Sequence, residues 1–162
     1  MIIRGNIHIV EVDDFTRVCY PDKAETGGIS PCIGLGILNR KNRMGYLKHA
    51  YPYVYEKKVG DFELFLDQAI IEAEDINDLE IALAGNIPLP EEEFENASNF
   101  QRQLEAHRHY NRLLINMIKA KGIKNKNIQN HLAEKPNPDY SYVMCVDTEE
   151  AKIEVKLEHD KE

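Results

Sequence analysis

Only three cysteines occur in the 162 residues, and no two stand at a metal-ligating spacing. That small, odd number excludes a disulfide-stapled scaffold and a zinc ribbon. No apolar run approaches the roughly 20 residues needed to span a bilayer. Basic residues are outnumbered 20 to 28, giving a net charge of −8. A nucleic-acid binder would normally present a basic face, and an anionic membrane would repel this chain, so neither partner is expected. Met1 to Gly5 lacks the hydrophobic core and cleavage site of a signal peptide, and free thiols suit a reducing compartment, so the expectation is cytoplasmic. The chain has no Gly-rich phosphate loop, no Gly-x-Ser-x-Gly elbow, no internal repeat and no linker.

What is present is ordinary for a globular protein: 43% hydrophobic and 30% charged residues, enough for one domain over 1–162 with a substantial core. Strand-like text covers Asn6–Val12 and Arg17–Tyr20. Asp22–Gly28 reads as a turn-rich loop and Tyr51–Gly60 as another. Asp61 can cap a helix whose Phe62, Phe65, Leu66, Ala69, Ile70 and Ala73 recur at helical spacing. Leu79–Ala84 reads as a buried strand and Asn86–Asn99 as a loop. A second helix spans about Phe100–Lys121, with Gly122 suited to its C′ position. Asn125–Asp139 is irregular, with room for a short strand. Two strands flank Thr148–Ala151, and a charged tail after about 158 is expected to fray. Strands and helices mix without a strict βαβ rhythm. The expected fold class is α+β, a layered sheet and helix sandwich with two main helices.

Chemistry concentrates in Thr26, Cys32 and His49. A Cys within reach of a His is the minimum for thiolate catalysis, because the imidazole removes the proton and stabilises the charge left behind. Ile33, Leu35 and Ile37 alternate with Gly34, Gly36 and Leu38, a strand pattern; Asn39–Asn42 is a polar turn, and Met44–Pro52 a second strand. A short loop centred between Arg40 and Lys41 pairs residues whose numbers sum to 81, which sets Cys32 opposite His49 and Gly36 opposite Gly45. Direct cross-strand partners have Cβ atoms about 4.5–5.5 Å apart. Gly34, Gly36 and Gly45 then form either a groove for an extended substrate or a flat face under a packed helix. Cys19 and Cys145, in apolar text, read as small buried hydrophobes. His107 and His109 face different directions on their helix, Glu105 with His109 supplies only two ligands, and Glu91–Glu95 reads as a solvated acidic loop.

With a Thr six residues before the Cys and a His seventeen after it, the segment resembles the chemoreceptor glutamine deamidase family (CheD). It is more distantly similar to the catalytic domains of cytotoxic-necrotizing-factor-type toxins. The likeness continues in a Gly-rich approach, a hydrophobic strand, a basic turn and a Gly-containing strand ending at His. Ser30-Pro31 stands where the family commonly has Gly-Ser, and Ala84-Gly85-Asn86 where it has paired glycines.

The resemblance implies Cys32 as nucleophile, His49 as general base and acid, and Thr26 as a polar third member. It implies a glutamine-bearing protein as substrate, a chemoreceptor if the likeness is complete, and a CheC-type phosphatase as partner. No metal or cofactor is required. Two alternatives accompany it: a non-catalytic protein-interaction module on the same fold, and a cysteine hydrolase of esters or thioesters.

Overall fold

The computed structural model describes residues 1–51 and 55–160. Among the described residues, ten strands and two long helices build an α+β fold of two mixed sheets with both helices on one of them. The strands are β1 (Ile2–Arg4), β2 (Ile7–Ile9), β3 (Asp14–Cys19), β4 (Lys23–Ile29), β5 (Ile33–Asn39), β6 (Met44–Ala50), β7 (Leu79–Gly85), β8 (Ile128–Leu132), β9 (Tyr140–Asp147) and β10 (Lys152–His159). The helices are α1 (Tyr55–Glu72) and α2 (Ala97–Ala120). One sheet runs β1-β2-β4-β9-β10 and the other β3-β6-β5-β7-β8, with β2–β4 and β7–β8 the parallel pairs.

The period-two pattern of β5 explains the layering. Ile33, Leu35 and Ile37 point to one face, where they join Phe62, Phe65 and Leu66 of α1 and Tyr110, Leu114 and Ile118 of α2. Small residues face the other way: Gly34 and Gly36 on β5, beside Ala84 and Ala82 on β7. Into that shallow face sink Ile29, Met144, Val146 and Ile153 from the opposite sheet. Large side chains on one face and small ones on the other let one strand serve two cores.

Helix α2 starts where Asn96 caps it, the side chain accepting from the Asn99 amide at 2.9 Å. Gly122 adopts φ +99° just past its end. Helix α1 begins at Tyr55, six residues before the sequence pattern places it, so the expected loop to Gly60 is shorter than Asp61 suggests. The expected strand end at Pro52 lies outside the described residues. At the other end of the chain, Glu158 and His159 remain paired with Ser141 and Tyr140, and residues 161 and 162 lie outside the description.

Two features departed from expectation around the site. Lys23–Ile29 is a strand and not a loop. Gly27 and Gly28 fall in an irregularity between Thr26 and Ile29, so both latter side chains face inward and the ladder resumes. The β5–β6 connection is also longer than a two-residue turn. Asn39 pairs with Met44, leaving Arg40–Arg43 as the loop. The Asn39 side chain accepts from the amides of Lys41 and Asn42 at 3.1 and 3.3 Å, and Arg43 takes φ +57°. These local bonds favour the four-residue loop.

Candidate functional site

The longer loop moves the register by two residues. Gly34 stands opposite His49, Gly36 opposite Leu47 and Leu38 opposite Gly45, correcting the direct Cys32–His49 pairing. An even shift preserves the face, so both remain on the side turned to the other sheet. Cys32 and His49 are diagonal neighbours, a relation in which Cα atoms lie roughly 7–8 Å apart. Among the described residues no hydrogen bond joins the thiol to the ring, and His49 Nε2 is buried without a partner.

Thr26 does reach His49, from the opposite sheet. Its Oγ1 lies 2.6 Å from His49 Nδ1 and 2.6 Å from the Val10 carbonyl oxygen. A hydroxyl has one proton and a carbonyl can only accept, so Thr26 donates to Val10 and accepts from Nδ1–H. That assignment fixes the tautomer. The lone pair sits on Nε2, where a general base needs it. Thr26 is 2% exposed, Cys32 4% and His49 1%.

Asp13 is the charged residue nearest in effect. Its amide donates to the His49 carbonyl at 2.7 Å, and its Oδ1 accepts from the Tyr51 amide at 3.1 Å. Burial, with a smaller contribution from the Asp13 carboxylate, pushes the Cys32 thiol up to about 11. Burial also holds His49 below its ordinary value, with Asp13 opposing. The resting pair is therefore a neutral thiol and a neutral imidazole, not a preformed ion pair.

The backbone of Cys32 is clamped from the β7 end. Its carbonyl accepts from the Asn86 amide at 2.8 Å, and the Ser30 carbonyl from the Ile87 amide at 2.8 Å. Gly85, at φ +102°, permits this approach, since a Cβ there would overlap the Cys32 carbonyl oxygen. The Asn86 carbonyl in turn accepts from His107 Nδ1–H at 2.7 Å. Asn86 Nδ2 donates to Asn111 Oδ1 at 2.8 Å, and Asn111 Nδ2 to the Ala133 carbonyl at 2.9 Å. Helix α2 thus braces the strand end on which Cys32 hangs.

The glycines do not form a substrate groove. A Cβ on Gly34 would come within 2.7 Å of Ile29, on Gly36 within 2.8 Å of Met144, and on Gly45 within 2.8 Å of Val146. Their absent side chains make room for the second sheet, not for a ligand or a helix. Of the other thiols, Cys19 is exposed and Cys145 half-buried, so neither is the fully buried hydrophobe its surroundings suggest. Burial and the nearby Glu25 carboxylate push Cys145 up to about 12. Among the described residues no group of three or more His, Cys, Asp or Glu is placed to hold a metal ion, and no helix is long and apolar enough to cross a membrane.

Asp13, Asn86, His107 and Asn111 were not singled out as site residues by sequence. His107 and Asn111 carried a usable signal. Both lie on the otherwise apolar stripe that holds Leu104, Tyr110 and Leu114, where a polar residue needs a buried partner.

No protein-family model and no curated protein sequence matches the chain. Among solved structures it is similar to the crystal structure of YlmD from Geobacillus stearothermophilus, with 13% identity and a TM-score of 0.45 over 73% of this chain and 49% of that one. It is also similar to the Bacillus licheniformis hypothetical protein YfiH, with 14% identity and a TM-score of 0.45 over 72% of this chain and 49% of that one. The chain spans about half the length of these two proteins.

Proposed function

We propose that the protein is a cysteine-dependent amidohydrolase that converts glutamine side chains of another protein to glutamate. One observation carries the reading: Thr26 holds His49 in the tautomer that leaves Nε2 free, on the same sheet face as Cys32. In the forward step, His49 Nε2 takes the thiol proton as Cys32 Sγ attacks the carboxamide carbon. The tetrahedral oxyanion is stabilised by backbone amides, with the Cys32 amide a candidate. His49 then returns the proton to the leaving nitrogen, the C–N bond of the tetrahedral adduct breaks, and ammonia departs to leave a thioester. Water, deprotonated by His49, attacks that thioester; the proton passes back to sulfur and glutamate is released.

Because both resting groups are neutral, the proton passes to Nε2 as the sulfur attacks an electrophile, not before. That attack requires a shift of Cys32 toward Nε2. A chemoreceptor substrate and a CheC-type phosphatase partner rest on the Thr26, Cys32 and His49 spacing alone.

The same burial favours a second reading, a non-catalytic interaction module in which Cys32 is core. Incubation with glutamine-containing peptides separates the readings, with ammonia release and the glutamine-to-glutamate mass change followed together. Wild type should produce both in equal amounts and Cys32→Ser neither. Turnover of thioester or ester substrates without ammonia release would point instead to a related hydrolase. No turnover of any of these would favour the module.

A further inference from the structure

The chain leaving β7 turns alongside the Cys32 approach and then walls a cleft beside it. The cleft, of about 360 Å³, is lined by Pro31, Tyr51, Ile87, Leu89, Phe94, Gln103 and His107. Pro31 directly precedes Cys32, and Tyr51 packs against the cluster that contains Cys32. One step beyond the last β5–β6 pair, Ile33 with Ala50, the register brings residue 51 opposite Cys32. The cleft therefore runs beside the backbone at Cys32, between the residue before it and the one opposite it.

Its outer wall is built to stay in place. Gln103 on α2 grips Leu89 twice, accepting from its amide at 2.7 Å and donating to its carbonyl at 3.1 Å. Phe94 is held against Phe100 at a ring-centroid distance of 5.8 Å. Leu89 nevertheless remains 53% exposed, an apolar side chain fixed on a cleft wall. Beyond it, Glu91, Glu92, Glu93 and Glu95 are exposed, and none makes an ion pair with a described residue. An apolar recess whose lining residues Leu89 and Phe94 are flanked along the chain by four unneutralised carboxylates complements an apolar side chain followed by a cation.

We propose that this cleft is the specificity subsite for the substrate segment: it receives an apolar residue beside the reacting glutamine, on a stretch that carries lysine or arginine next to it. The assignment rests on the deamidase reading for the word substrate, but its binding content is measurable without turnover. The partner is thus a protein whose target glutamine lies in a basic, apolar-flanked segment, not an acidic one.

The test uses Cys32→Ala protein and three blocked, fluorescently labelled pentapeptides with central glutamine. One is flanked by leucine and lysine, one by leucine and glutamate, and one by serine and lysine. Fluorescence anisotropy should show the leucine–lysine peptide binding about tenfold more tightly than either other peptide. Its advantage over the glutamate peptide should shrink with added salt. It should also shrink when Glu91, Glu92, Glu93 and Glu95 are all changed to Gln. Leu89→Ser should weaken the two leucine peptides and leave the serine peptide unaffected. Both sets of changes are on exposed side chains, so folding is retained. Equal affinities, or indifference to both sets of changes, would overturn the subsite. If the binding pattern appears and wild-type protein releases no ammonia from the leucine–lysine peptide, the docking surface stands and the deamidase reading falls. If ammonia is released equally from all three peptides, the subsite falls and the deamidase reading stands.

Discussion

The Thr26 hydroxyl and the His49 ring meet across the two sheets at 2.6 Å, and the hydroxyl proton is committed to the Val10 carbonyl 2.6 Å away. A residue in one sheet thereby sets the proton position on a residue in the other. Removing the acceptor with Thr26→Val should free the ring to place its proton on either nitrogen. The rate of Cys32 alkylation at neutral pH should then fall by about tenfold, a partial loss of the roughly 10²–10⁴-fold that a positioned general base contributes. Thr26→Ser keeps the acceptor and should restore most of it. Equal rates in Thr26→Val and wild type would remove Thr26 from the site.

Asp13 acts on both partners with opposite consequences. Its carboxylate adds to burial in pushing the Cys32 thiol up to about 11, and it also raises the pKa of His49. Asp13→Asn keeps an oxygen able to accept from Tyr51, and Asn tolerates the φ of +62° found there. The substitution should lower the apparent pKa of Cys32 alkylation and speed the reaction near neutral pH. Most of the elevation should remain, because burial is its larger cause. A pH profile of alkylation reads this directly.

Buried neutral histidines also set a pH limit on stability. His49, His107 and His131 are all held below 6.5 by burial. The unfolded chain therefore binds more protons as the pH drops through 6.5, and stability is lost from there down towards the depressed folded values. It should be flat just above that window as far as these three groups are concerned. Chemical denaturation at pH 7.5 and at pH 5 should show the loss, and His107→Gln should flatten part of it.

Crowding at the glycines makes a structural prediction. Gly36→Ala and Gly45→Ala place a methyl within 2.8 Å of Met144 or Val146, and overpacking of this kind typically costs about 1–3 kcal/mol. Denaturation midpoints should fall accordingly, while Cys32 reactivity in the folded protein stays near wild type. A selective effect on peptide turnover at unchanged stability would revive the groove that the packing contradicts.

How much of this the sequence revealed follows from the range of each signal. The alternation in β5 and the apolar stripes of both helices are written within a few residues of themselves, so the elements are legible even though α1 begins six residues before its pattern places it. Strand β4 was hidden because Gly27 and Gly28 read as a turn; only pairing with β9 reveals that they sit in an irregularity of a strand. The β5–β6 register depended on whether Asn39 closes a four-residue loop, a choice made by side-chain hydrogen bonds that composition does not display. Gly34, Gly36 and Gly45 announced a close approach, but the approaching face comes from Ile29, Met144 and Val146. Thr26, Cys32 and His49 converge on the space between the sheets despite the two-residue slip, because a slip of two leaves every side chain on its own face.

The most direct measurement is the pH dependence of alkylation at each cysteine, resolved by peptide mass spectrometry, in wild type and in His49→Ala. The account predicts that Cys32, although the most buried of the three thiols, reacts at neutral pH faster than its pKa of about 11 alone allows, and that His49→Ala removes the excess. Cys19 and Cys145 should be indifferent to the change. A Cys32 that reacts only in step with its own ionisation, and ignores the loss of His49, would contradict the nucleophile–base pair and with it the proposed chemistry.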